Sequence, residues 1–403
     1  MRTLKNKSKI ILPLFIIFFS FQAQSQSLIE GTFGKGLNVL AKDSSFAVKF
    51  SARFQTLYQG NYTYGSERWD DRFLTRRYRL KFDGFVYDPS IVFKLELGLS
   101  NRDIGGGNIA QVGFSSRVIL DAVIKWKATK NWTIWFGQTK LPGNRERVIS
   151  SQKLQFVDRS LLNSRLNIDR DIGVQFWHKN KVGSKGVLKK AFSISMGEGR
   201  NIIAANSGGY DYTLRFDYLP FGEFDSKGDY FSSDLSREQT PKLAIGGSYD
   251  VNVGAVRQRG QLGLFMLDEV EGLIENTLTS YFIDAMFKYK GFSVMGEYGD
   301  KWAADQVTAT NDQGIELKYV TGNAFNIQGG YLFKNNIELA ARYTMVRSDD
   351  VFFSGMRDQN MYTIGISKYI VGHSLKIQSD LSYWEFLNSN NNMMYRFQIE
   401  LAL

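Results

Sequence analysis

Tyr210-Asp211-Tyr212-Thr213-Leu214-Arg215-Phe216-Asp217-Tyr218 alternates without interruption. Tyr210, Tyr212, Leu214, Phe216 and Tyr218 fall on one face, and Asp211, Thr213, Arg215 and Asp217 on the other. That is the period of a strand lying between two differently solvated surroundings. Its residues, at about 3.3 Å each and tilted by about 40°, span roughly 20 Å, near the height of the apolar band that a barrel strand turns to lipid. Tyrosines close the span at both ends, where aromatic side chains settle at membrane interfaces. Tyr281, Ile283, Ala285, Phe287 and Tyr289 repeat the arrangement at the same spacing.

Outward from these two segments, the same alternation recurs along the chain from Phe46. The pattern predicts sixteen strands, at 46–58, 72–87, 90–100, 117–127, 131–140, 171–179, 190–198, 210–219, 241–249, 279–290, 291–300, 323–334, 336–347, 359–370, 373–386 and 393–403. Short connections such as Tyr87-Asp88-Pro89-Ser90 and Lys290-Gly291 alternate with long ones, as a closed antiparallel barrel in a membrane requires. Two connections on the short-turn side, near 180–189 and 220–240, are longer than this rule predicts. Residues 261–267 and 313–320 alternate weakly and are assigned to long loops; counting both as membrane strands gives the alternative of eighteen. Pro89, Pro142, Pro220 and Pro241 all fall in turns, in loops or at a strand start, where a missing N–H does least harm. The last segment alternates Tyr395, Phe397, Ile399, Leu401 and Leu403 with Arg396, Gln398, Glu400 and Ala402, and suits closure of the barrel on itself.

Composition agrees with an all-β chain. Among 403 residues there are 38 Gly, 20 Tyr and 31 Phe, but only 5 Pro and no Cys. No apolar run beyond the first two dozen residues is long enough for a membrane helix. Arg2, Lys5, Lys7 and Lys9 precede an apolar run from Ile10 to Phe21 and then Ala23-Gln24-Ser25, the order of a secretory signal peptide cleaved after Ser25. The expected organisation is therefore a signal peptide at 1–25, a periplasmic N-terminal segment at 26–45 and a transmembrane β-barrel at 46–403. Cleavage leaves 378 residues and a formal charge of +6. This places the mature chain in the outer membrane of a Gram-negative cell, with outer-membrane lipid as a partner.

Two histidines and no cysteine leave little for a metal site, and neither His178 nor His373 has companions at ligand spacing. A barrel hydrolase needs a base beside a nucleophile, and neither histidine offers one. Gly105-Gly106-Gly107 lacks the strand-to-helix context and following lysine of a nucleotide-binding loop. The reading is of a protein that is not an enzyme and takes neither cofactor nor nucleic acid.

Several stretches together resemble the phosphate-selective porin O/P family. Arg76-Arg77-Tyr78-Arg79-Leu80-Lys81-Phe82-Asp83-Gly84, Asp88 and Lys94-Leu95-Glu96 are similar to its paired-arginine second and third strands. Asp121-Ala122 and Trp135-Phe136-Gly137-Gln138-Thr139-Lys140-Leu141-Pro142 look like its strand pair leading into the constriction loop. Gln155-Phe156-Val157-Asp158-Arg159-Ser160-Leu161, and later Lys288-Tyr289-Lys290-Gly291-Phe292-Ser293 with Glu297-Tyr298, continue the likeness. The resemblance implies a sixteen-stranded homotrimeric barrel whose third loop folds into the pore, passing small anions such as phosphate.

Charge at the narrowest section sets selectivity in such a pore. From Lys140 to Arg170 there are seven cations, Lys140, Arg145, Arg147, Lys153, Arg159, Arg165 and Arg170, against Glu146, Asp158 and Asp169. Arg77, Arg79 and Lys81 share the face of strand 2 opposite Tyr78, Leu80 and Phe82, and Arg53 and Arg215 have the same inward parity. Guanidinium groups suit oxyanions because their planar donors match the oxygens in pairs. The candidate pore and anion-binding residues are therefore Arg53, Arg77, Arg79, Lys81, Lys140, Arg145, Arg147, Arg159, Arg165, Arg170 and Arg215. For each arginine a second role stays open: Asp83, Glu96, Asp217 and Glu297 also face inward and would neutralise cations in wall networks. The alternative function is a structural or secretion-partner barrel without an open selective pore.

Overall fold

The computed structural model describes residues 28–29, 32–100, 103–104, 117–268, 272–310, 316–349, 356–387 and 389–403. The signal-peptide segment and the Gly105-Gly106-Gly107 stretch lie outside them. Sixteen antiparallel strands form the wall. They are β1 Phe46–Thr63, β2 Arg68–Val86, β3 Asp88–Gly98, β4 Ile119–Trp126, β5 Trp132–Lys140, β6 Arg170–Val182, β7 Gly186–Ser195 and β8 Asp211–Leu219. The second half is β9 Lys242–Ala255, β10 Asn276–Tyr289, β11 Phe292–Ala303, β12 Gly322–Leu332, β13 Ile337–Ser348, β14 Gln359–Val371, β15 Leu375–Phe386 and β16 Asn392–Ala402. Each strand pairs with the next, and β16 pairs with β1 from Asn392↔Thr63 to Ala402↔Arg53, so the sheet closes and no wall strand is left with a free edge.

Burial along β8 shows the physical logic. Tyr212, Leu214, Phe216 and Tyr218 are exposed on the outer surface, whereas Asp211, Thr213, Arg215 and Asp217 are buried inside. A water-soluble sheet would invert this; apolar outside and polar inside is what a surrounding of lipid favours.

The two weakly alternating stretches stay outside the wall, giving sixteen strands rather than eighteen. Among the described residues, Glu316–Lys318 pairs only with Thr308–Thr310, and Leu267–Asp268 only with Gly272–Leu273. At 180–189 the ladder runs further than the alternation does, to Val182 and from Gly186, so that connection is a short turn after all. Lys290 and Gly291 both have positive φ, at 48° and 89°, the geometry that a two-residue hairpin needs to match strand twist. The connection at 220–241 is long, and it folds back toward the barrel interior. Phe224 packs on Val187, Leu219 and Ala244, and the Ser232 N–H donates to the Lys153 carbonyl.

Below the point where β16 ends, the free side of β1 is taken by a short hairpin. Leu37–Leu40 pairs with Ala47 to Phe50, and Leu28–Ile29 pairs with Leu37–Leu40 in turn.

Candidate functional site

Residues 141–169, the third long-loop connection, lie inside the barrel. They carry two short helices, α1 Arg145–Val148 and α2 Leu161–Leu166. Leu141, Leu161, Leu162, Leu166 and Ile168 pack on Phe282, Ala324, Val346 and Met361 from the inner face of β10 and β12 to β14. Ile149 and Leu154 pack on Met286 and Met295. Inward positions that would be polar in an empty barrel are thus apolar here, and burying the loop's leucines against them removes both surfaces from water.

Polar contacts fix the loop on the same wall. Arg145 is fully buried between Asp217, at 2.5 Å, and Asp284, and Arg215 reaches the same two carboxylates at 2.6 and 2.9 Å. Gln155 Nε2 donates to Glu338 at 2.7 Å and Ser293 at 3.1 Å; the Val157 N–H donates to Asp380 at 3.1 Å; and Lys376 Nζ donates to the Gln152 carbonyl at 2.8 Å. Ser160 caps α2, accepting from the Asn163 N–H at 3.2 Å, and its own N–H donates to Glu146 at 2.9 Å.

Because the loop is drawn to one wall, the opposite side of the lumen stays open. A cavity of about 920 Å³ lies between loop 3 and the inner faces of β2 to β7. It extends from Arg79 and Arg200 toward the long-loop end to Lys127, Lys130, Lys179 and Lys227 at the short-turn end. Among the described residues its lining carries fifteen lysines and arginines, against Glu96, Asp103, Asp121 and Glu223. A narrow, poorly screened passage with that imbalance holds a positive potential along its length.

The register of β2 decides which arginines reach it. Gln55 pairs with Arg77 and Thr56 with Thr75, leaving Arg76 as the extra residue of a β-bulge. The bulge turns Arg76 inward beside Arg77, although strict alternation puts them on opposite faces. Both bind Asp158 of loop 3: Arg76 through two N–H donors at 3.2 and 2.7 Å, and Arg77 at 2.7 Å. Arg396 reaches the same carboxylate at 3.6 Å while holding Asp380 with two donors. Burial acts on Asp158 most strongly and favours its neutral form, but Arg76, Arg77 and Arg396 overcome it and hold the carboxyl well below the usual carboxylate range. Asp158 is accordingly charged at any physiological pH.

Several of the lining cations are neutralised in the wall. Arg79 binds Asp103, Arg147 binds Asp169, and Arg170 and Lys94 share Asp121 at 2.8 and 2.5 Å. Lys140 and Arg159 differ. Lys140 Nζ donates to the carbonyls of Arg147, Val148 and Ile149 at 2.7, 3.3 and 3.1 Å. Arg159 donates to the carbonyls of Glu146 and Ile149 at 2.9 and 2.5 Å. Carbonyls orient these groups without pairing them to a carboxylate, and the Arg159 guanidinium at the middle of the loop keeps its charge for the channel. Burial pushes Arg159 down to about 10, still charged at neutral pH.

Of the residues expected from the sequence, Arg77, Arg79, Lys140, Arg147, Arg159 and Arg170 are brought together on the channel. Arg145 and Arg215 are placed behind the loop, in the buried network with Asp217 and Asp284. Arg53 bonds Ser151 at 2.8 Å and lies 3.7 Å from Glu400. Lys81 pairs with Asp83 toward the short-turn end, and Arg165 lines a separate cavity of about 260 Å³ with Arg259. Sequence reasoning passed over Lys94 and Lys125, which alternation with Phe93, Leu95, Ile124 and Trp126 places inward, and over Arg76, which only the bulge reveals.

Residues 48–229 match the family model described as phosphate-selective porin O and P. No curated protein sequence matches the chain. Among solved structures, the fold is similar to an anion-selective porin from Comamonas acidovorans, at 10% identity and a TM-score of 0.57, covering 89% of this chain and 100% of that one. It is similar to the outer membrane channel DcaP of Acinetobacter baumannii, at 11% identity and a TM-score of 0.54, covering 90% and 99%. It is similar also to the trimer form of OmpT, an outer membrane protein of Vibrio cholerae, at 12% identity and a TM-score of 0.50, covering 88% and 99%. These likenesses show the fold, a closed antiparallel barrel like those of the three solved proteins.

Proposed function

We propose that this chain, whose residues 48–229 match the phosphate-selective porin O and P family model, is an outer-membrane porin that passes small anions by passive diffusion between loop 3 and β2 to β7. The observation that carries this reading is the imbalance of the channel lining, fifteen cations against four carboxylates. A barrel serving only as a structural or secretion partner has no use for uncancelled cations along an open passage.

Within that channel the Arg159 guanidinium meets the permeating ion without a carboxylate partner among the described residues, and Lys140, Arg147 and Arg170 stand beside it. An oxyanion such as phosphate gains paired N–H donors there that chloride cannot use. Conduction requires release as well as capture, which several moderate contacts permit and one deep site does not. The proposal includes export by a signal peptide cleaved after Ser25 and assembly as a homotrimer, and a single-subunit band on native electrophoresis in mild detergent would refute the trimer alone.

The test is a reversal potential in a salt gradient across a planar bilayer containing the purified protein, first in chloride and then with added phosphate. Anion preference and a chloride current reduced by phosphate are expected. Cation preference would overturn the channel reading, and a chloride current indifferent to phosphate would leave a general anion pore.

A further inference from the structure

Beyond the arginines and lysines, two indoles line the channel wall. Trp135 on β5 and Trp177 on β6 both face the cavity, their ring centroids 4.8 Å apart and their planes inclined by 26°, an offset stack. The β4–β5–β6 ladder sets this up: Lys125 is directly across from Trp135, and Trp135 across from Gln175, with Trp177 two residues on. Lys125 Nζ lies 3.4 Å from the centre of the Trp135 ring. Among the described residues no carboxylate is paired with Lys125, whereas neighbouring Lys94 is held by Glu96 at 2.7 Å and Asp121 at 2.5 Å. Trp177 Nε1 donates to Gln175 at 3.0 Å, while Trp135 Nε1 is buried without a partner among the described residues.

A passage for inorganic ions has no need of this arrangement. Chloride and phosphate are served by cations and N–H donors, and a bare indole face beside water only costs solvation. What the triad offers is a stacked pair of indoles whose outer face is covered only by an ammonium that has no carboxylate partner among the described residues. From this juxtaposition we infer that Lys125, Trp135 and Trp177 form a subsite for organic anions that join a carboxylate or phosphate to a flat apolar ring. The anionic group draws Lys125 off the Trp135 face, and the ring takes the ammonium's place against the indoles. In the empty channel the cation–π contact keeps that face covered, which costs less than leaving ammonium and indole apart. Lys130 and Asn131, at the short-turn end of the same lining, lie along the route by which such a solute leaves.

This inference rests on the anion-channel reading, and the experiment separates the two. Chloride current through the purified protein in a planar bilayer is titrated with benzoate and, separately, with acetate, which carries the same charge without the ring. Benzoate is expected to halve the current at about fivefold lower concentration, the ratio that roughly 1 kcal/mol of ring stacking produces. Trp135→Leu and Trp177→Leu should each abolish that difference, and Trp135→Phe, which keeps a flat ring, should retain part of it. Lys125→Gln should weaken benzoate block further than it weakens acetate block. An anion-selective wild type in which benzoate and acetate act alike overturns the subsite and leaves the channel reading intact, as does a preference for benzoate that survives both leucine variants. Should a leucine variant fail to fold, the wild-type ratio and the Trp135→Phe channel decide alone. Cation selectivity of the wild type removes the channel reading and the subsite together.

Discussion

Asp158 Oδ1 lies 2.7 Å from Arg77 Nη2, tying the middle of loop 3 to the wall strand β2 across the lumen. The same carboxylate carries the two-donor contact from Arg76, so a single loop residue both anchors the loop and cancels part of the positive wall that faces the permeating ion.

Asp158→Asn separates those roles, because the amide keeps the shape and loses the charge. The variant is expected to fold as the same barrel, with a larger preference for anions and stronger block by phosphate, since Arg76 and Arg77 regain uncancelled charge. Reversal potentials of the two proteins in one salt gradient check this, and an unchanged or smaller anion preference contradicts it.

Arg145→Ala addresses the opposite side of the loop. Removing one member of a buried charge network leaves Asp217 and Asp284 sharing Arg215 alone, a loss on the order of 3–5 kcal/mol. The expected result is a lower temperature for conversion of the folded band on electrophoresis, with ion selectivity little altered. A large loss of selectivity without a loss of stability would place Arg145 in the permeation path.

Arg159→Gln removes a cation that is held by carbonyls alone among the described residues. It should lower the anion-to-cation permeability ratio by roughly two- to fivefold, corresponding to about 0.5–1 kcal/mol of lost field in the channel. Phosphate block of chloride current should weaken in parallel. Arg53→Gln is the comparison, and its smaller effect is expected because Arg53 lies at Ser151 and Glu400.

Lys153, also on loop 3, supplies a pH dependence. Its ammonium sits 3.6 Å over the Phe231 ring, and burial, with Lys81, Lys227 and Lys49 nearby, pushes it down to about 8. A lysine depressed in this way is a liability when charged: the folded chain releases its proton near pH 8, the unfolded chain only near the ordinary lysine value. Its unfavourable contribution is therefore complete below pH 8 and fades between about pH 8 and 10.5. Lys153→Met is expected to be more stable than wild type at pH 7, by a margin that shrinks across that window. Thermal conversion at a series of pH values measures it, and a margin independent of pH would show that the charge is not the cause.

The strand count was legible because lipid outside and polar groups inside impose a period of two on every wall strand, and β8 displays it in nine residues. Strand ends were read less well. Pairing with a neighbour carried β6 to Val182 and brought β7 in from Gly186, since a ladder hydrogen bond does not depend on which side chain follows. Inward cations such as Arg77 and Arg79 followed from parity, and parity applied evenly would have added Lys94 and Lys125.

Parity could not reveal Arg76, because a bulge breaks the count at the residue that matters. Nor could it separate Arg145 from Arg159 on the same charged loop: one ends buried between two wall carboxylates, the other on backbone carbonyls beside the channel. Local alternation is written residue by residue and is set by the solvent on each face. Which cations keep their charge depends on carboxylates distant in the chain, such as Asp284 from β10 and Asp380 from β15, and only closure of the barrel around loop 3 brings those partners within reach.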